Sequence, residues 1–340
     1  MGELSVPKTL EQALDAAWLS DVLDVPVVKV NTVEVIRTVA TKVRFRLDLE
    51  RGLKLNLCLK GLLDVDDLTA RGGPTMVREA DFYGQVAGQM DVRVPTCFTT
   101  LIDREAQQAV VIMRDLIADG VSFCSALQAF SSDEAADSLA QLARLHNAKA
   151  LLDTLPWITR RIAELAKADY ISAERIQELL DGPRGVTLDA NVRNAKRLVA
   201  GMQALAAVDA ARPQFLVHGD AHAGNIFRNH KGAPGLIDWQ LLQRGGWALD
   251  VAYHIAAVLP VDVAEREERA LLGHYLAVMR GFGHIMPSDE EAWIQYRESL
   301  VYGYYLWSIT QRVDPEIITV FSARLGAAVA RHDSFGMLGV

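Results

Sequence analysis

FLVHGDAHAGNIFRNHKGAPGLIDWQ, residues 215–240, is the stretch whose reading decides the fold. The apolar run Phe215-Leu216-Val217 delivers a polar loop, His218 to Asn225, and a second short run, Ile226-Phe227, follows it. A turn at Asn229-His230-Lys231-Gly232 then reverses the chain into Gly235-Leu236-Ile237-Asp238. Apolar runs of this length bounded by Gly, Asn and Pro read as short strands of a hairpin. Asp220 and Asn225 stand five apart on one loop, and such a hairpin would return Asp238 beside them. Three oxygen-bearing side chains would then converge at strand ends, with glycines permitting close backbone approach to a ligand.

Hard divalent cations take oxygen ligands, and magnesium uses one or two carboxylates together with phosphate oxygens and water. The spacing D-x-x-x-x-N with a later Asp is that of phosphoryl transfer in protein kinases. There the first Asp takes the acceptor hydroxyl's proton, while the Asn and the second Asp hold magnesium. Written H-G-D-x-H-x-G-N with I-D-W-Q after it, the stretch resembles the aminoglycoside phosphotransferase and choline kinase superfamily. Gln240 after Asp238-Trp239 resembles more narrowly its ecdysteroid-kinase-like branch. The resemblance implies Asp220, Asn225 and Asp238 as the catalytic set, with Asn225 and Asp238 as the metal ligands and ATP and Mg2+ as cofactors.

Composition narrows the field. The 340 residues suffice for two cores or one two-lobed domain, and 50% hydrophobic with 23% charged is ordinary for a folded soluble protein. A net charge of −8 argues against nucleic acid as the main partner, because phosphate-backbone binding needs a basic face. No basic-then-apolar leader opens the chain and no run of roughly 18 apolar residues occurs, so neither a signal peptide nor a membrane span is expected. Cys58, Cys97 and Cys124, odd in number and widely spaced, fit buried thiols in a reducing cytoplasm.

Upstream, Thr9-x-x-Gln12 is a capping box, and the apolar spacing predicts a helix over residues 9–23. From Val27 the pattern changes to strands. Residues 42–48 alternate, Glu50-Arg51-Gly52 turns, and Leu53, Leu55, Leu57 and Leu59 share one face opposite Lys54, Asn56, Cys58 and Lys60. In the kinase-like pattern a lysine ending the third strand contacts the α/β phosphates and pairs with a glutamate on the next helix. Lys60 and Glu79, on a helix expected over residues 74–90, fill those places, with Asp81 as the rival partner. The loop that should cover the phosphates, near Arg37-Thr38-Val39-Ala40-Thr41, contains no glycine, which leaves Thr38, Thr41 and backbone amides as substitutes. The apolar run 109–113 leads into Met113-Arg114-Asp115-Leu116, similar to the family's adenine-binding linker, so Met113 and Asp115 join the nucleotide-binding candidates.

From Asp133 the pattern is helical, with spans expected over 156–180 and 189–208 and helix throughout 263–340. Arg144-Leu145-His146 resembles the helix that precedes the catalytic loop in the superfamily, with His146 as a packed, hydrogen-bonded residue. Asp250 occupies the place of an aspartate that props the loop. The aromatic cluster Tyr302, Tyr304, Tyr305 and Trp307, with Trp247, Tyr253 and His254 earlier, reads as core first and acceptor pocket second. The acids Glu265, Glu267, Glu268, Asp289, Glu290 and Glu291 read as a solvated face.

The expected fold is therefore α+β and protein-kinase-like. A β-rich antiparallel N-lobe (residues 1–115) would bind nucleotide, and a mostly helical C-lobe (116–340) would carry the catalytic loop and acceptor pocket, with a cleft between them. The expected function is an ATP-dependent cytoplasmic kinase that phosphorylates a hydroxyl of a small, largely apolar metabolite or xenobiotic of steroid or terpenoid type. The alternatives are an aminoglycoside- or macrolide-type antibiotic phosphotransferase, a catalytically silent nucleotide-binding protein, and, from His218-x-Asp220-x-His222, a metal-dependent hydrolase.

Overall fold

Alternation of apolar and polar residues at 42–48 and 53–60 becomes the centre of a five-stranded antiparallel sheet. In the computed structural model, which describes residues 4–37, 40–167 and 171–340, its strands are β1 (Val27–Arg37), β2 (Thr41–Leu49), β3 (Lys54–Gly61), β4 (Cys97–Asp103) and β5 (Gln108–Arg114). Their order is β1-β2-β3-β5-β4. The β2–β3 register sets Val43 against Leu59, Phe45 against Leu57 and Leu47 against Leu55, so one face is apolar throughout. That face forms a core with Leu19 and Ala13 from the N-terminal helices, against which Leu10, Leu14 and Trp18 also pack. The opposite face carries Lys42, Arg44 and Arg46 of β2 opposite Lys60, Cys58 and Asn56 of β3. The expected turn at residues 50–52 is a 3-10 turn, with Arg51 and Gly52 at positive φ.

The expected N-terminal helix is two helices, Leu10–Ala13 and Ala16–Leu23. The break has a local cause: the Asp15 carboxylate accepts from the Trp18 N–H at 2.8 Å and starts a new helix there. The capping box at Thr9 and Gln12 is present. The helix expected over 74–90 is α-helical across Gly73–Asp81, continues as a π-turn at Phe82–Val86, and ends in a 3-10 turn at Ala87–Gln89. These residues, with Asn229–Lys231 and Ile237–Gln240, belong to one compact unit that runs from the N-terminus to Ser122.

The second unit comprises Phe123–Arg228, Gly232–Leu236 and Leu241–Val340, and is mostly helical. Its centre is the helix Ala248–Val258, buried at every position, which packs on the helices Ser132–Asn147, Asp289–Ile309 and Pro315–Arg331. The expected hairpin exists in part. Ile226–Arg228 pairs antiparallel with Pro234–Leu236. Phe215–Val217 instead pairs with Gln243–Gly245, a strand whose polar sequence gives no period-2 signal. The helices expected over 156–180 and 189–208 are shorter, at Arg161–Leu165, Ala173–Asp181 and Ala195–Ala210. Asn194 caps the last of these by accepting from the Arg197 N–H.

The acids at 265–291 divide. Glu265, Asp289, Glu290 and Glu291 are exposed, whereas Glu268 is 4% exposed. Its carboxylate accepts from Tyr296 Oη (3.1 Å) and Arg331 Nη2 (2.8 Å) and lies 2.8 Å from His332 Nε2. Helical period sets Glu268 on the inner face with Leu271 and Leu272, and the arginine and histidine offset the burial of its charge. Among the described residues no helix is long and apolar enough to cross a membrane.

Phe45 is fully buried in the sheet core. Phe45→Ala should destabilise the protein by about 3–5 kcal/mol, read as a lower denaturant midpoint with an unchanged slope.

Candidate active site

In the unit built on the sheet, β3 delivers Lys60 at its end and the helix Gly73–Asp81 delivers Glu79. Lys60 Nζ stands 2.6 Å from Glu79 Oε2 and 3.2 Å from Asp238 Oδ2. Lys60 is 4% and Glu79 1% exposed. Burial by itself lowers the affinity of Lys60 for its proton, but the charges of Asp238 and Glu79 outweigh it, and the ammonium is held above its ordinary range. Burial pushes the Glu79 carboxyl up, opposed by the charge of Lys60. Asp81, the rival partner, is taken by Arg104 in a two-pronged ion pair, at 2.9 and 2.6 Å.

Asp238 has φ of 65°, a left-handed conformation that few non-glycine residues adopt and that Asp tolerates better than most. Such strain persists where surrounding contacts enforce it, commonly at functional positions. Trp239 beside it is fully buried and stacks on Phe82 at 3.7 Å between ring centroids and 11° between planes. Gln240, the residue that marks the narrower resemblance, reaches Met76 Sδ at 3.8 Å.

Met113 lies on β5 opposite Cys58 and Cys97. Asp115 is 3% exposed, and both its carboxylate oxygens accept from Arg44 Nε at 3.1 Å. Oδ1 also accepts from the N–H groups of Ile117 and Ala118. The Asp115 side chain thus shapes the turn, and its backbone N–H is spent on Asn56 O. Arg114 N–H is spent on Thr96 O. Within residues 114–118 this leaves Leu116 as the backbone donor without an acceptor among the described residues. Of the two threonines expected to cap phosphates, Thr38 lies outside the described residues. Thr41 is 2% exposed and donates its hydroxyl proton to Leu63 O at 2.9 Å.

The loop after Phe215–Val217 belongs to the helical unit, and Asp250 shapes it. This buried carboxylate accepts from the N–H groups of His218 (2.7 Å) and Gly219 (2.8 Å) and from His146 Nε2 (3.1 Å). Burial would raise its pKa, but these donors outweigh it and hold the carboxyl below its ordinary range. His146 is completed by Tyr275 Oη on Nδ1 at 2.7 Å, so it is the packed, hydrogen-bonded residue its position implies. Gly219 has φ of +81°, and a Cβ there would meet Leu241 O at 2.3 Å, so glycine is required. Tyr302 Oη donates to Gly219 O at 2.7 Å and accepts from Gln243 Nε2 at 2.8 Å.

Held in this way, the loop presents Asp220. Its Oδ2 accepts from Asn225 Nδ2 at 3.0 Å, and its Oδ1 accepts from Tyr253 Oη at 3.1 Å. Trp307 Nε1 donates in turn to Tyr253 Oη at 2.6 Å. Asn225 Nδ2 also donates to Asp220 O at 2.9 Å, which commits both its protons and turns Oδ1 away as an acceptor. His218 Nδ1 accepts from the Asp220 N–H. His222 Nδ1 accepts from the Gly224 N–H, so the ring proton sits on Nε2, 3.5 Å from Asp220 Oδ2. The aromatic cluster is core: Tyr302, Tyr304 and Tyr305 are fully buried, and Trp307 is 4% exposed. Gln243 carries no motif signal, and Tyr253 stands out in the sequence only as one of the aromatics. Their part in the loop depends on contacts formed between residues remote in sequence.

Residues 69–284, well over half of the chain, match the phosphotransferase enzyme family. The chain belongs to this family. It is an enzyme, a small-molecule phosphotransferase with an alcohol group as acceptor. No curated protein matches it. Among solved structures, a provisionally assigned aminoglycoside phosphotransferase of Ralstonia eutropha JMP134 is similar, with a TM-score of 0.54 at 13% identity over 95% of this chain and 97% of the other. The ethanolamine kinase of Plasmodium vivax has a TM-score of 0.50 at 14% identity over 88% and 81%. The macrolide 2′-phosphotransferase of Brachybacterium faecium, 15% identical over 93% and 98%, has a TM-score of 0.47. The first two show that the phosphotransferase has a kinase-like α+β fold.

His254 supports the phosphotransferase loop from behind. Its Nδ1 donates to Ala221 O and its Nε2 faces Ser138 Oγ, both at 2.9 Å, and burial lowers its pKa to about 4. The unfolded chain takes up this proton near the ordinary histidine pKa of about 6.5, before the folded protein does. The neutral ring therefore contributes stability that is present above about pH 6.5 and lost as pH falls through about 4. Thermal melts from pH 7 to pH 4 should show this loss, and His254→Gln should flatten it.

Proposed function

We propose that this phosphotransferase is an ATP-dependent, magnesium-requiring kinase of a small, largely apolar hydroxylated molecule of steroid or terpenoid type, as in the ecdysteroid-kinase-like branch. The observation that carries the nucleotide reading is Lys60, buried with one contact to Glu79 and one to Asp238. An ammonium has three protons, so one remains for a phosphate oxygen. The Met113–Leu116 segment, which Asp115 shapes through Arg44, would hold the adenine, and the Leu116 N–H would be its backbone donor.

Asp220 accepts the proton of the acceptor hydroxyl as that oxygen bonds to the γ-phosphorus and the bond to the β–γ bridging oxygen breaks, releasing ADP. Tyr253 and Asn225 fix the orientation of its carboxylate. Asn225 Oδ1 and the Asp238 carboxylate are hard oxygen donors of the kind magnesium takes, and each is assigned as a ligand. When bound, the cation would neutralise charge on the phosphates. Support for an apolar acceptor over a polycationic one comes from the acids near the C-terminal helices. Glu268, Asp289 and Glu290 are each matched by an arginine, Arg331, Arg280 and Arg269.

Asp220→Asn should lower kcat by about 10²–10⁴-fold and leave ATP affinity within about 2-fold, whereas Asp238→Asn should weaken Mg-ATP binding itself. Retention of most turnover by Asp220→Asn would refute the role of base. The acceptor class is tested by incubating hydroxylated steroids, terpenoids, aminoglycosides and macrolides with ATP and magnesium, and reading the mass gain of one phosphate. Phosphorylation confined to the antibiotics would replace the apolar reading.

A further inference from the structure

Kinase-like folds cover the nucleotide phosphates with a glycine-bearing loop between the first two strands, whose close backbone approach supplies N–H donors. Here residues 37–41 contain no glycine, and the Thr41 hydroxyl is committed to Leu63 O. The residue that follows, at the start of β2, is Lys42.

Lys42 lies directly opposite Lys60 in the β2–β3 register. Directly opposed residues of an antiparallel pair project from the same face with Cβ atoms about 4.5–5.5 Å apart, and like charges so placed repel. Three cations cluster at this end of the polar face. Arg44 is paired with Asp115 and Glu34. Lys60 is paired with Glu79 and Asp238. Lys42, half-buried, makes no ion pair or side-chain hydrogen bond among the described residues. The two carboxylates near enough to act on it, Asp238 and Glu79, are already engaged with Lys60. Burial, then the charge of Lys60, lower the Lys42 pKa from its ordinary value, as befits a cation short of counter-charge. A sheet that sets a second lysine beside the first and supplies no acid for it is arranged to receive an anion.

We propose that Lys42 is a second phosphate-binding residue, which with Lys60 grips the nucleotide's phosphate chain in place of the amides of a glycine-rich loop. This rests on the nucleotide reading given above. It adds that phosphate recognition here depends on side-chain charge rather than on close backbone approach.

The test is calorimetric titration of the full chain with ATP, ADP and adenosine. Lys42→Met and Lys42→Gln should each lower affinity for ATP and ADP by about 10- to 100-fold, the span expected for loss of a charge-assisted hydrogen bond, and leave adenosine affinity unchanged. Lys42→Arg should restore ATP affinity to within about 3-fold of the parent. The proposal is overturned if either neutral variant, folded by circular dichroism, binds ATP within 2-fold of the parent. It is equally overturned if adenosine affinity falls in step with ATP, since that would mark a structural residue. Absence of ATP binding by the parent chain itself is a different result and would remove the nucleotide reading.

Discussion

A lysine ammonium buried against two carboxylates is the constraint on which the rest of the sheet unit depends. Taking such charges out of water is costly, and removing one partner of a buried pair typically costs about 3–5 kcal/mol because the other is left uncompensated. Lys60 therefore needs both Glu79 and Asp238, and three separate segments must arrive together to satisfy it. The strand ending at Gly61 brings the lysine, the helix Gly73–Asp81 brings the glutamate, and the strained residue Asp238 brings the second carboxylate. None of these groups is well placed for stability alone, since a buried charge and a strained backbone each carry a cost.

The helical unit solves a different problem with similar means. Its loop at 218–225 is tied by polar groups to three helices. Asp250 and Tyr253 come from the helix Ala248–Val258, His146 from Ser132–Asn147, and Tyr302 and Trp307 from Asp289–Ile309. Each of these residues is buried and donates or accepts toward the loop or its immediate supports. The Asp220 carboxylate is thereby held at both oxygens, by Asn225 and by the buried Tyr253, and such preorganisation lowers the cost of holding a single geometry.

Much of this was legible in the sequence. Strict period-2 alternation at 42–48 and 53–60 has one solution, an antiparallel sheet with one apolar face, and the order strand-lysine, helix-glutamate, Asp-loop and Ile-Asp-Trp defined the fold class. What periodicity cannot read is which distant polar side chains meet. Arg44 closing on Asp115, Gln243 supporting Tyr302, and Glu268 meeting Arg331 and His332 depend on tertiary placement. The strand Gln243–Gly245 is too polar and too short to announce itself, and the break of the first helix turns on a local cap at Asp15 that periodicity does not register. Asp238's positive φ likewise leaves no trace in composition.

The stacking of Phe82 on Trp239 has a mechanical consequence. Phe82 directly follows the helix that holds Glu79, and Trp239 directly follows Asp238, so the two acids that flank Lys60 are bolted to each other through a pair of buried rings. An outward swing of that helix, the motion by which a kinase-like enzyme could uncouple its lysine, would have to part the rings and drag Asp238 along. The positions of Glu79 and Asp238 are thus mechanically linked, and a substitution that loosens either ring should disturb both acids at once.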